Sequence, residues 1–236
     1  AADSLPDKFV DCLLTYEDKR FFYHPGIDPA AIFRAIRLNG KAGRVVSGGS
    51  TLTMQLARIA RGNQDRTFYE KTIEMCWALF LETTHSKQEI LNLYASHAPF
   101  GGNVIGLETA AWRYFGRSAS ELSWAESATL AVLPNSPALI HPGRNRKQLK
   151  EKRDRLLASL QKKGVLEETE YELACMEPLS EAPLPLPNDA PHLLERLAAE
   201  QPGQRIQTSV RQALQRQTQA LVNRYAREYS SNHIYN

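Results

Sequence analysis

Helix-start signals recur along this sequence, and they constrain its fold more than any other feature. A serine followed three residues later by glutamate, a pair that caps the first turn of a helix, occurs at Ser86, Ser118 and Ser123. Strand patterns are weak by comparison, and residues 44–46 are the best short candidate. The sequence therefore predicts a mainly α domain.

Apolar residues repeat with helical spacing between these signals, which allows further helices to be placed. The predicted helices include one that begins after Pro6, residues 29–39 closed by Gly40, residues 51–61 capped by Ser50, residues 68–83, and residues 145–163.

The composition of the chain changes after about residue 176. Five prolines lie between Pro178 and Pro191, a density typical of an extended linker, and a polar, Gln-rich segment follows. We therefore predict a helical domain over residues 1–176 and a linker with the start of another domain over residues 177–236.

Overall composition excludes several classes of protein. Of the 236 residues, 42% are apolar and 23% charged, which is typical of a globular domain and argues against disorder. A membrane-spanning helix is not predicted, because no apolar run reaches about 18 residues, and the first residues lack a signal-peptide pattern. The 3 cysteines are too few and too widely spaced for a disulfide framework or a metal cluster, so no protein metal site is predicted.

The net charge of +3 is unevenly distributed. Between Pro29 and Gln64 there is no acidic residue, and the six cations of this basic block are Arg34, Arg37, Lys41, Arg44, Arg58 and Arg61. A block of one sign indicates an anionic partner such as phosphate, nucleic acid or a lipid headgroup. A solvated basic surface is the alternative.

Glu17 is the first candidate for chemistry. It extends the apolar stripe of residues 10–14 by one helical step, so its carboxylate is predicted to face the buried side. Burial raises a carboxyl pKa and suits the group to proton transfer near neutral pH. The alternative is a helix-end glutamate paired with Lys19 or Arg20.

A glycine pair at residues 48–49 precedes the helix that we predict Ser50 to cap. The N–H groups at such a helix start suit phosphate. Thr51, Gln55 and Arg58 are spaced i, i+4, i+7 and present a hydroxyl, an amide and a guanidinium on one face. A plain glycine turn before a helix is the alternative.

The helix at residues 68–83 carries Lys71 and Glu74 one turn apart, where the lysine can hold the glutamate ionised, whereas Glu70 opposes it. Glu17 and Glu74 are therefore a candidate pair of carboxylates for glycosyl transfer, a chemistry that commonly uses two. Charged pairs on a helix are also common as surface decoration.

Together these motifs resemble the glycosyltransferase family 51 domain of bifunctional class A penicillin-binding proteins, and most of all its 1C branch. Five stretches carry the resemblance: Glu17-Asp18 through Phe21, His24 and Gly26; Gly48-Gly49-Ser50-Thr51-Leu52-Thr53-Met54-Gln55; Lys71-Thr72-Ile73-Glu74; Ser86-Lys87 to Gly106; and Glu126 to Pro134. The resemblance implies a lysozyme-like helical lobe with a small membrane-facing jaw lobe.

The resemblance also implies an activity, which is polymerisation of lipid II into β-1,4 glycan strands with release of undecaprenyl pyrophosphate. Glu17 would be the general base, and Glu74 would be the second catalytic residue. The implied substrate-binding residues are Asp18, Phe21, His24, Gly49, Ser50, Thr51, Gln55, Arg58, Lys71 and Tyr94. The resemblance implies no cofactor, and it leaves open a divalent cation such as Mg²⁺ at the pyrophosphate.

The implied partners are lipid II, the growing glycan strand and an anionic membrane surface, with other cell-wall synthesis proteins left open and nucleic acid not expected. The implied location is the extracytoplasmic face of the bacterial inner (cytoplasmic) membrane. The N-terminal anchor of the family is not in this sequence. Residues 177–236 resemble the lead-in to a transpeptidase domain whose catalytic part is also not in this sequence.

Two other functions remain as alternatives. One is a catalytically weak module that binds lipid II or acts as a scaffold, which is favoured by Glu70, because the family usually has arginine there. The other is a lytic muramidase on the same scaffold. The phosphate-friendly loop at residues 48–51 argues against the muramidase, because a hydrolase needs no pyrophosphate site.

Overall fold

The computed structural model of the chain describes residues 5–43, 48–62, 67–134, 145–180, 183–185, 189–204 and 206–231. The chain forms two compact units, Ala1–Leu184 and Pro185–Asn236. The prediction of a mainly α fold is confirmed, and the β pairing found in these ranges is an isolated bridge between Pro99 and Ile105. The strand candidate at residues 44–46 lies outside the described residues.

The described part of the first unit contains the helices α1 (Asp7–Tyr16), α2 (Pro29–Ala42), α3 (Leu52–Ala60), α4 (Phe68–Thr84), α5 (Lys87–His97), α6 (Leu107–Phe115), α7 (Trp124–Val132), α8 (Arg146–Lys162) and α9 (Glu168–Met176). Short 3₁₀ helices cover Phe21–Tyr23 and Ala119–Glu121. The second unit contains α10 (Pro191–Glu200) and α11 (Gln212–Ser231).

Helix α7 lies at the centre of the first unit. All of its residues from Ala125 to Val132 are buried, and apart from Glu126, which bonds the start of the helix, they are apolar or small. It packs against α1, α6, α8 and α9, while α3 packs against α4 and α5. Phe9 and Leu13 of α1 are fully buried in the same core. The end of α1 is thereby fixed on a rigid support.

Two helices are capped by residues other than the predicted ones. Helix α2 continues through Gly40 to Ala42, and the next residue, Gly43, closes the helix in a left-handed conformation (φ 61°). Helix α3 is capped by Thr51, not by Ser50, since the Thr51 side chain accepts the N–H of Met54. The hydroxyl of Ser50 is therefore available for another contact.

The predicted Ser-Glu caps are confirmed at two of the three sites. Ser86 and Ser123 form reciprocal capping boxes with Glu89 and Glu126 at the starts of α5 and α7. The third prediction is wrong, because Ser118 accepts the N–H of Ser120 and begins a 3₁₀ turn.

The proline-rich stretch begins as part of the first unit. The buried guanidinium of Arg153 in α8 donates to the carbonyl oxygens of Glu177 (2.7 Å) and Cys175 (3.3 Å). The Leu184 N–H donates to the carbonyl of Arg113 at 2.7 Å. The described chain thus contacts the helices at Cys175, Glu177 and Leu184, while the domain boundary after residue 176 stays a prediction.

Among the described helices, none combines the length and the apolarity that crossing a bilayer would require.

Candidate active site

A buried polar frame joins the loop after α1 to the start of α3. Nε2 of His24 lies 3.0 Å from both carboxylate oxygens of Asp18, and the Gly26 N–H donates to His24 Nδ1 at 3.2 Å. Since Nδ1 accepts, the ring proton is assigned to Nε2, which donates to Asp18. The Leu52 N–H of α3 donates to the same carboxylate at 3.1 Å. One carboxylate thus fixes the loop to the helix.

Gly26 is the point where this loop, α3 and α4 meet. The Thr51 hydroxyl donates to the Gly26 carbonyl at 2.5 Å. Gly26 has a φ of +91°, and a Cβ there would lie 2.7 Å from the carbonyl oxygen of Ala78 in α4. The backbones approach so closely that only glycine fits without displacement.

Phe21 belongs to the packing of this loop. Its side chain is 1% exposed, and Nζ of Lys87 lies 4.4 Å from its ring centroid. Lys87 also donates to the carbonyl of His24 (2.6 Å) and to Glu82 (2.8 Å). Phe21, which was predicted to bind substrate, is therefore buried in the packing of this loop. The structure also adds Glu82 to the residues that hold the loop, and no sequence pattern had indicated it.

Arg20 pairs with Asp28 and not with Glu17. Of the two cations considered as surface partners for Glu17, Lys19 and Arg20, the second is thereby excluded. The Arg20 guanidinium pairs with Asp28, the N-cap of α2, with Nε 3.0 Å from Oδ2. Burial opposes ionisation of Asp28, but the hydrogen bonds from the Ala31 N–H and Arg20 outweigh it and lower the pKa of this carboxyl.

Glu17 ends α1 and faces α3. Nε2 of Gln55 donates to the Glu17 carboxylate at 2.8 Å, and the Tyr94 hydroxyl donates to Oε1 of Gln55 at 3.3 Å. Tyr94 is 1% exposed. Burial first, and then the charge of Glu17, raise its pKa well above the usual range, while Arg58 opposes the shift. Three of the predicted residues thus form one chain of hydrogen bonds, with Arg58 close by.

Helix α8 supplies a cation near Glu17, Lys152, that sequence reasoning missed. Burial lowers the pKa of Lys152, and Arg155 adds to this, whereas the nearby charge of Glu17 opposes it. Burial also raises the pKa of Tyr16 to about 12, with Glu17 adding to the effect and Arg155 opposing it. In the sequence, cations are spread over much of α8, so no pattern distinguishes the one that lies near Glu17.

A second group of predicted residues surrounds Lys71. Its Nζ bonds the Ser50 hydroxyl and lies 3.3 Å from the carboxylate of Glu74, which is 7% exposed. Gly49 lets this loop approach α2, since a Cβ there would lie 3.1 Å from Cα of Ile32. A cation, a hydroxyl and a carboxylate therefore meet just before the N-terminus of α3.

Glu70, which was predicted to oppose the ionisation of Glu74, forms an ion pair with Arg61, the residue that follows α3. Nη2 of Arg61 lies 3.0 Å and 3.3 Å from the two carboxylate oxygens of Glu70. The end of α3 and the start of α4 are joined by this ion pair.

Helix α2 presents an apolar and basic surface. Its side chains Phe33, Ile36 and Leu38 are 69%, 67% and 43% exposed, and Arg34 and Arg37 are exposed beside them. Helix α2 buries Ala35. Arg44 lies outside the described residues. Such an amphipathic, basic helix surface suits an anionic bilayer.

Within the described ranges, no three His, Cys, Asp or Glu side chains are close enough to hold a metal ion.

Comparison with known proteins identifies the family to which this chain belongs. The transglycosylase family matches residues 1–161, and the chain belongs to that family. It is 35% identical over 223 residues to penicillin-binding protein 1C of Escherichia coli K12, covering 94% of this chain and 29% of that protein. It is 37% identical over 178 residues to penicillin-binding protein 1A of Aquifex aeolicus VF5, covering 75% of this chain and 24% of that protein.

Among solved structures, penicillin-binding protein 1A of Haemophilus influenzae is similar with a TM-score of 0.41 and 24% identity, over 64% of this chain and 20% of that one. The chain thus spans less than a third of the length of these curated relatives.

Proposed function

We propose that this chain is a peptidoglycan glycosyltransferase domain that polymerises lipid II into β-1,4 glycan strands and releases undecaprenyl pyrophosphate. The observation that carries the proposal is the arrangement around α3. The Glu17 carboxylate is held by Gln55 within that helix, and the Lys71, Ser50 and Glu74 group lies at its start. The proposed base thus contacts α3 part-way along its length, and the proposed anion-binding group, which includes two residues of α4, lies just before the N-cap of α3.

In this proposal Glu17 is the general base. Its carboxylate takes the proton of the 4-hydroxyl of the acceptor sugar, while that oxygen attacks the anomeric carbon of the donor. The bond from the anomeric carbon to the pyrophosphate oxygen breaks, its electron pair leaves with the pyrophosphate, and the configuration inverts. Positioned proton transfer of this kind supplies about 100- to 10,000-fold.

The donor side is assigned to Lys71, Ser50 and Arg58. Negative charge develops on the pyrophosphate as it leaves, and cations and donors placed at that point stabilise the transition state. Glu74 orients Lys71 through their 3.3 Å contact. Asp18, His24 and Thr51 hold the loop and α3 together, so we assign them to positioning Glu17 and Gln55.

We further propose that α2 contacts an anionic membrane on the extracytoplasmic face of the inner membrane, where lipid-linked substrate is found. The exposed Phe33 and Ile36 lie beside exposed arginines, as interfacial helices require. Replacing Phe33 and Ile36 with serine is expected to weaken sedimentation with vesicles rich in phosphatidylglycerol. Equal sedimentation of this variant and the native chain would contradict the assignment.

The decisive experiment is incubation of the chain with lipid II in detergent, comparing the native protein, Glu17→Gln and Glu172→Gln. The control, Glu172→Gln, makes the same change from carboxylate to amide at an exposed position on α9. We expect polymer from the native chain and the control, and at least a hundredfold less from Glu17→Gln.

The alternatives give different results in the same assay. Binding of lipid II without polymer would support a binding module, and cleavage of preformed glycan would support a muramidase. Equal polymer from Glu17→Gln would show that another group is the base.

A further inference from the structure

Tyr94, Gln55 and Glu17 form a hydrogen-bond chain in which every group has a defined direction. An ionised carboxylate only accepts, so Gln55 must turn its amide N–H₂ toward Glu17, as the 2.8 Å contact from Nε2 shows. The carbonyl Oε1 of Gln55 is then left for Tyr94, 3.3 Å away, and the phenol must donate to it.

The surroundings of Tyr94 keep this direction. The side chain is 1% exposed on α5, and burial raises the pKa of its phenol well above the usual range. The phenol therefore remains protonated across the range in which a carboxylate titrates, and it remains a donor. The amide of Gln55 is held in one of its two orientations as a result.

The opposite orientation of Gln55 would suit a different state of Glu17. If the amide turned over, Oε1 would face the carboxylate, and an acceptor in that place favours a protonated carboxyl. Loss of the Tyr94 hydroxyl removes the group that opposes this turn.

We infer that Tyr94 is a positioning residue for Glu17, which acts through Gln55 to favour the ionised carboxylate. The inference rests on the proposed function in treating that carboxylate as the base; the hydrogen-bond chain does not depend on it. Tyr94 thus acts on the reaction without touching the reacting atoms.

Other charged and titratable groups also face Glu17, and they set the background against which the effect is measured. Tyr16 beside it in the chain and Lys152 of α8 interact with the charge of Glu17, whereas Arg58 of α3 acts on Tyr94, and Arg155 of α8 acts on Tyr16 and Lys152. All four side chains are present both in the native chain and in a Tyr94→Phe variant, so the comparison is made against the same set of charges.

The test compares Tyr94→Phe with the native chain by measuring the pKa of Glu17 from the carboxyl ¹³C shift of labelled glutamate. The variant is expected to raise this pKa by about half to one unit, because a net hydrogen bond contributes about that much. The acid limb of the polymerisation rate should move to higher pH by the same amount.

Two further variants separate positioning from a general loss of packing. Tyr114→Phe removes another buried hydroxyl, which donates to the carbonyl of Phe100 at 2.9 Å, and it should leave the Glu17 pKa unchanged. In a Gln55→Ala background, Tyr94→Phe should add no further shift, because the connecting group is absent.

The inference is overturned if Tyr94→Phe leaves the Glu17 pKa unchanged, if Tyr114→Phe shifts it equally, or if the Tyr94→Phe shift persists in the Gln55→Ala background. A native chain that makes no polymer but shows the expected pKa shift contradicts the proposed function alone. Polymer without the shift contradicts this inference alone.

Discussion

Replacement of Gly26 by alanine tests whether the active-site loop depends on close backbone contact. Gly26 has a φ of +91°, and a Cβ there would lie 2.7 Å from the oxygen and 2.9 Å from the carbon of the Ala78 carbonyl. These are backbone atoms of α4 and cannot rotate away as a flexible side chain would. The loop, α4 or both must move.

The expected cost has two parts. A left-handed backbone angle costs a non-glycine residue about 1–2 kcal/mol. Overpacking against a rigid neighbour adds about 1–3 kcal/mol, so Gly26→Ala should lower the free energy of unfolding by about 2–5 kcal/mol. Gly164→Ala is the matched control, since Gly164 has a φ of +71° with no atom within 4 Å of an added Cβ. It should cost about 1–2 kcal/mol.

The measurement is urea unfolding followed by tryptophan fluorescence. The 3 tryptophans, Trp77, Trp112 and Trp124, all lie in the first unit, so the signal reports on the unit that contains Gly26. The Gly26 carbonyl also accepts a hydrogen bond from the Thr51 hydroxyl at the start of α3, so displacement of the loop disturbs the helix that holds Glu17. The rate of polymerisation should therefore fall more in Gly26→Ala than in Gly164→Ala. A Gly26→Ala variant no less stable than Gly164→Ala would refute the reasoning.

Other substitutions probe individual contacts. Asp18→Asn turns an amide N–H₂ toward the donors that the carboxylate now accepts, including His24, and should lower the free energy of unfolding by about 1–3 kcal/mol in the same urea assay. The lowered pKa of Asp28 stabilises the folded chain at pH values above the unfolded pKa of about 3.9, and this stability is lost as the pH falls through the lower folded pKa. The difference in free energy of unfolding between the native chain and Asp28→Asn should therefore shrink in that pH window. Cys76 is exposed, whereas Cys12 is buried with a raised thiol pKa, so maleimide labelling followed by peptide mass spectrometry should modify Cys76 in the folded chain and Cys12 only in denaturant.

Local signals predicted the helices well, because caps and apolar spacing are properties of neighbouring residues. They were wrong at α3, where two adjacent hydroxyls could each have capped the helix. Thr51 caps it, and the Ser50 hydroxyl bonds Lys71, a contact that depends on tertiary packing. The spacing of residues cannot show such a contact.

The candidate site was predicted as a set of residues but not as an arrangement. The shared face of Thr51, Gln55 and Arg58 suggested three groups directed at a ligand, yet Thr51 bonds Gly26 and Gln55 bonds Glu17 within the protein. The contribution of Lys152 could not be predicted, because α8 reaches Glu17 only through the packing of α1 against α8.

The basic block shows why charge counted along the chain differs from charge in space. The segment from Pro29 to Gln64 contains no acidic residue, but three glutamates from outside it lie against its second half. Glu70 pairs with Arg61, Glu17 bonds Gln55, and Glu74 meets Ser50 through Lys71. The cations of α2, in contrast, face solvent. The block therefore divides into a membrane-suited basic surface on α2 and a mixed-charge site around α3. A leaving pyrophosphate is stabilised by cations, whereas the proposed general base is itself an anionic carboxylate. A site with both charges close together therefore suits transfer chemistry better than a uniformly positive surface would.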